Sequence, residues 1–154
     1  MDRELELDIP IVWERVMHVR RQVADTLADQ PEEIRSASVI AASELVENAI
    51  KYGVSVPSLS CGRFSFSMTE EGVEVRVANG LRDEESLQRL QTIIDETASD
   101  EGARQGYESR LLELMDSPLQ SNRLGLYRIR HEAKFRLSYT HEEGVLTMIA
   151  RRPT

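Results

Sequence analysis

The chain has one cysteine, five prolines, eight glycines and only 5% aromatic residues, in 154 positions. Cys61 has no second thiol, which excludes an intramolecular disulfide and a thiolate metal cage. A buried strand thiol in a reducing compartment is expected. No apolar run approaches the roughly 18 residues that span a bilayer. The opening Met1-Asp2-Arg3-Glu4 is charged rather than apolar, so a cytoplasmic location without a membrane partner is expected. Basic excess is missing too. The net charge of −8 speaks against broad binding to phosphate backbones, and nucleic acid is not an expected partner. Gly- or Ser-rich linkers, low-complexity tracts and internal repeats are absent. What is present is a 40% apolar, 30% charged composition on a chain long enough to bury one core. A single domain over 1–154 is expected.

Glu4-Leu5-Glu6-Leu7-Asp8-Ile9 alternates as a half-buried strand does. From Ile11 to about Ala28, Val12, Val16, Val19, Val23 and Leu27 recur at helical spacing. Asp29-Gln30-Pro31-Glu32-Glu33 then supplies a capping side chain, a first-turn proline and acids suited to the dipole of a second helix. That helix runs to Tyr52, where Gly53 offers a left-handed stop. Two hairpins follow at 63–78 and 135–150, turning at Glu70-Glu71-Gly72 and Glu142-Glu143-Gly144. Helical stretches at about 83–98, 103–116 and 124–133 lie between them. Five strands segregated from helices predict an α+β, two-layer sandwich: a mixed, mostly antiparallel sheet with helices on one face.

The second helix carries the most informative segment. At 100° per residue, Glu44, Asn48 and Lys51 share one narrow face, while Leu45, Val46, Ala49 and Ile50 face the core. An amide oxygen is a neutral hard ligand for Mg²⁺. A carboxylate one turn away can take a proton from an attacking hydroxyl or water. Lys51 adds positive charge beside them. Two such residues four apart on a helix are, on their own, also an ordinary solvated stripe.

The segment Glu44-Leu45-Val46-Glu47-Asn48-Ala49-Ile50-Lys51-Tyr52-Gly53 resembles the N-box of GHKL proteins, the group with the Bergerat ATP-binding fold. The strand–helix–helix opening is similar to that of anti-sigma serine kinases of the RsbW and SpoIIAB type. Val75-Arg76-Val77-Ala78-Asn79-Gly80 resembles the first glycine box. Ser121-Asn122-Arg123-Leu124-Gly125-Leu126 resembles the second. The helical stretch between the boxes looks most like the SiaB-like branch. The resemblance implies ATP and Mg²⁺ as cofactors, Glu44 as general base and Asn48 as metal ligand. It implies that Asn79 faces the adenine amino group. Gly125, with Asn122 and Arg123 beside it, would contact phosphates at a helix start. Asn79 stands where most of the family has Asp, and Ser121, Asn122 and Arg123 stand where its leading glycines belong.

The implied activity is phosphoryl transfer to a Ser or Thr of a small partner, a STAS-type anti-sigma antagonist, with a sigma factor as the other partner class. The segment 83–120 would then be a lid and partner surface. Two alternatives stay open: a pseudo-kinase that only switches between protein partners, and a plain ATP hydrolase. The apolar Ile11, Val12 and Trp13 permit a homodimer, and Trp13, Val16 and Met17 otherwise read as packing. His18, His131 and His141 share no metal-ligand spacing. Arg128, Arg130, Lys134 and Arg136 read as a solvated basic face, or one receiving an acidic partner.

Overall fold

The computed structural model describes residues 2–10, 12–81, 84–116 and 124–154. Strand β1 (Arg3–Ile9) is followed by helices α1 (Glu14–Thr26) and α2 (Glu32–Tyr52), and then by a two-residue strand β2 (Gly53–Val54). The hairpin β3 (Gly62–Thr69) and β4 (Gly72–Leu81) leads into α3 (Glu84–Glu96) and α4 (Asp100–Asp116). A short α5 (Gly125–His131) precedes the hairpin β5 (Arg136–Glu142) and β6 (Val145–Arg152).

The sheet runs β1-β3-β4-β6-β5, with β2 paired to the end of β4, and every described pairing is antiparallel. This is an α+β sandwich of the expected layers. Alternation decides the faces. Phe64, Phe66, Val75, Val77, Met148 and Ala150 point into the core, against the buried arc of α2 and against Val19 and Val23 of α1. The opposite face carries exposed Glu4, Glu6 and Asp8 on β1, Arg76 on β4 and Arg136 on β5. Burying the large apolar set on one face contributes about 25 cal/mol per Å² of apolar surface removed from water.

Both hairpins turn where the glycines predict. Thr69 pairs with Gly72, and Glu142 with Val145, so each connection is two residues long. Glu143 and Gly144 both have positive φ (52° and 78°), the conformation that matches the strand twist in a tight hairpin.

Four expectations are corrected. Six strands form, not five: β2 uses the stretch of β4 beyond the last β3 pair, Arg63 with Ala78. Gly53 does not stop α2 in the left-handed region. Its backbone is extended (φ −72°, ψ 150°), because it already pairs with Leu81. Asp29 does not cap α2; its carboxylate binds Arg3 of β1 through two hydrogen bonds of 2.5 and 2.7 Å. That guanidinium holds the Asp29 carboxyl down to about 2, while Pro31 takes the capping position with no side-chain bond. Cys61 is a free, part-exposed thiol just ahead of β3, not a buried strand residue.

Candidate functional site

Helix α2 is pinned over the sheet by its apolar arc, and this fixes the other face. Glu44, Asn48 and Lys51 rise along that face one turn apart, as their spacing predicts. Asn79 sits near the end of β4, buried, and its Nδ2 donates to the Gly80 carbonyl at 2.8 Å. With the amide set this way, Oδ1 presents an acceptor. Gly125 begins α5, which packs against α2.

These segments enclose two cavities. The first, about 300 Å³, is bounded by Leu45 and Asn48 of α2, Asn79 of β4, Met148 of β6 and Leu90 and Ile93 of α3. Its wall is mainly apolar, with Arg89, Glu96 and Arg110 among its polar groups, the usual character of a small-molecule site. The second, about 250 Å³, is lined by Glu44, Glu47, Lys51, Gly125 and Arg128, with Trp13 at its rim. Two carboxylates face two cations there. Asn48 lines both cavities.

Glu44 is only 9% exposed, and Arg128 Nη1 donates to its Oε1 at 2.7 Å. Its other oxygen rests on Gly125, where a Cβ would lie 2.5 Å from Oε2. Glycine at 125 thus leaves room for the carboxylate, a role separate from any phosphate contact. Burial pushes the Glu44 carboxyl above its ordinary 4.5, and the charge of Glu47 adds to this, against the opposing pull of Arg128.

A raised acid is unfavourable to the fold once ionised. Its penalty is present above the folded-state value and vanishes as pH falls to the ordinary 4.5. Glu44→Gln should therefore melt at a higher temperature than wild type at about pH 7.5, and the gap should close toward about pH 4.5. Paired melting curves across that range measure it; a constant gap would contradict the assigned burial cost.

Of the residues singled out in the sequence, Glu44, Asn48, Lys51 and Gly125 meet at the second cavity, and Asn48 and Asn79 at the first. Asn122 and Arg123 lie outside the described residues, as does Ile11. Trp13, Glu47 and Arg128 also line the second cavity and went unread as site residues. Trp13 is 57% exposed at the rim rather than packed, and Met17 is 60% exposed; of that trio only Val16 is buried. The basic cluster is not one solvated face either. Arg128 pairs with Glu44 and Glu132, and Arg130 is 5% exposed, bonded to backbone carbonyls of Thr97 and Phe135. The spacing of Arg128 three residues after Gly125 places both on one side of α5, which is the signal available in the sequence.

No protein-family model matches this chain, and no curated protein does. A solved structure of the RsbU and RsbW domains of a Mycobacterium tuberculosis protein superposes on it with a TM-score of 0.53 at 15% identity. That alignment covers 99% of this chain and 34% of the other, so the chain spans about a third of the length of that neighbour. The likeness is one of fold.

Proposed function

We propose that this chain is an ATP- and Mg²⁺-binding protein serine/threonine kinase of the anti-sigma, partner-switching kind. Its substrate would be a small STAS-type partner, with a sigma factor as the other binding partner. The observation that carries the reading is the position of Asn48 between an apolar cavity and a charged one. A purine nucleotide needs that pair of environments, joined end to end.

In this reading the apolar cavity takes the adenine, with Asn79 Oδ1 accepting from its amino group. The second cavity takes the phosphates beside Lys51. Among the described residues no group of three or more His, Cys, Asp or Glu could cage a metal. The neutral oxygen of Asn48 suits Mg²⁺, which keeps most of its shell from phosphates and water. When bound, the cation would neutralise charge on the transferring phosphoryl group. Glu44, within the same cavity, would accept the proton of the incoming hydroxyl. Helices α3 and α4 would exclude water from above.

Trp13 is the single tryptophan, so its emission reports on the second cavity alone. ATP with Mg²⁺ should change that emission and release or absorb heat in calorimetry. GTP should bind tenfold or more weakly, about 1.4 kcal/mol, because guanine has a carbonyl where Asn79 needs a donor. No signal in either measurement at millimolar ATP would sink the proposal.

A binding switch without turnover is the second reading. The observation favouring it is the hold of Arg128 on Glu44, which occupies one oxygen of the intended base. Nucleotide binding with no transfer to a bound partner would select it.

A further inference from the structure

The charged groups on α5 reach in two directions. Toward α2, Arg128 Nη1 donates to Glu44 Oε1 at 2.7 Å. Toward its own next turn, Arg128 Nε donates to Glu132 Oε2 at 3.0 Å. The remaining oxygen of Glu132, Oε1, accepts from the hydroxyl of Tyr107 on α4. The Tyr107 ring also leans on His131, with centroids 4.9 Å apart. Four side chains from three helices therefore form one continuous line, Tyr107–Glu132–Arg128–Glu44. Tyr107 lines neither cavity.

Geometry gives each member a distinct part. A guanidinium presents its donors in a fixed fork, so anchoring Nε fixes where Nη1 points. Glu132 supplies that anchor. Glu132 is itself a flexible carboxylate, and the Tyr107 hydroxyl ties one of its oxygens. Glu44 shares its cavity with Glu47 and Lys51 from α2 and Arg128 from α5, and it also feels the charge of Glu132, the residue that caps α5. Of these, Arg128 alone has a hydrogen bond to it among the described residues.

We infer that Arg128 is a positioning residue for Glu44, and that Tyr107 sets it through Glu132, so that the seating of α4 is read at the carboxylate. The inference deepens the proposed kinase reading by giving the base a regulator in the cover helices. A bound partner that shifts α4 would alter the orientation of Glu44 without touching it.

A double-mutant cycle tests the line in the unliganded protein, independently of any nucleotide. Tyr107→Phe and Glu44→Met, which keeps the length of the side chain but loses the acceptor for Arg128, are made singly and together, and unfolding equilibrium constants are measured in urea. Sites with no shared partner give nearly multiplicative effects. Here the product should miss by about threefold or more, because the relay couples them. Repeated on Arg128→Met, the coupling should disappear. If that background folds poorly, Arg128→Lys carries the same comparison, since an ammonium lacks the fork that joins two carboxylates. Multiplicative behaviour in the wild-type background, or coupling that survives loss of Arg128, overturns the inference.

The functional arm uses ATP turnover with Mg²⁺. Tyr107→Phe should lower kcat several-fold with KM for ATP within twofold. An unchanged kcat, with or without a raised KM, would make Tyr107 at most a binding residue and overturn its assignment. Absence of transfer in the wild type even with a protein partner bound would count against the kinase reading, and the urea cycle would still decide the relay.

Discussion

Glu44→Gln should lower phosphoryl transfer by about 10²–10⁴-fold, the usual worth of a positioned general base. Nucleotide affinity should change little. The argument rests on what glutamine keeps and loses. Its oxygen still accepts from Arg128, and its size still fits against Gly125, so the cavity retains its shape. It cannot take a proton. Label transfer from γ-labelled ATP to the partner, or to water without one, gives the readout. Full activity in this variant would remove Glu44 from the chemistry, even with ATP bound. Together with the melting comparison at Glu44, the variant should be more stable and less active. That opposition is expected of a buried charge kept for function.

The largest expected loss of stability is at Arg130. Its Nε donates to the Thr97 carbonyl at 2.6 Å, Nη1 to Phe135 at 3.0 Å and Nη2 to Ala98 at 3.5 Å, with Asp100 nearby at 3.5 Å. One buried side chain thus closes three backbone acceptors, at the turn between α3 and α4 and at the start of the last hairpin. Arg130→Met fills much of the volume but donates nothing. Each buried carbonyl left without a partner costs about 1–3 kcal/mol, so a loss of about 2–4 kcal/mol is expected after partial hydration. Arg130→Lys should recover only a minority of it, because an ammonium cannot span three diverging acceptors. Urea midpoints measure both. A loss under about 0.5 kcal/mol, the range of an ordinary surface change, would contradict the buried role.

How much of this was legible in the sequence varies with the range of the interaction. The face of Glu44, Asn48 and Lys51 was readable because helical periodicity alone brings them together. The hairpins were readable because Gly72 and Gly144 mark turns between alternating runs. Strand β2 was not, since two residues carry no period and only the overhang of β4 makes them a strand. Asp29 looked like a cap from its neighbours, yet a contact 26 positions away took its carboxylate. The arginines of α5 looked alike in sequence. Docking against α2 on one side and the α3–α4 turn on the other gives Arg128 and Arg130 opposite surroundings. Trp13 looked like packing because tryptophan usually is, but α1 buries Val16, Val19 and Val23 and turns Trp13 outward.

No residue of helix α3 is fully buried, whereas β4 and β6 lie at the centre of the sheet. Local opening free energies track such differences, from near zero at the periphery to the full unfolding value in the core. The roof of the apolar cavity should therefore open at a lower free energy than the sheet beneath it, and amide exchange should be faster in α3 than in β4 and β6. The residence of any small molecule in that cavity would then be set by this local opening rather than by the strength of the whole domain.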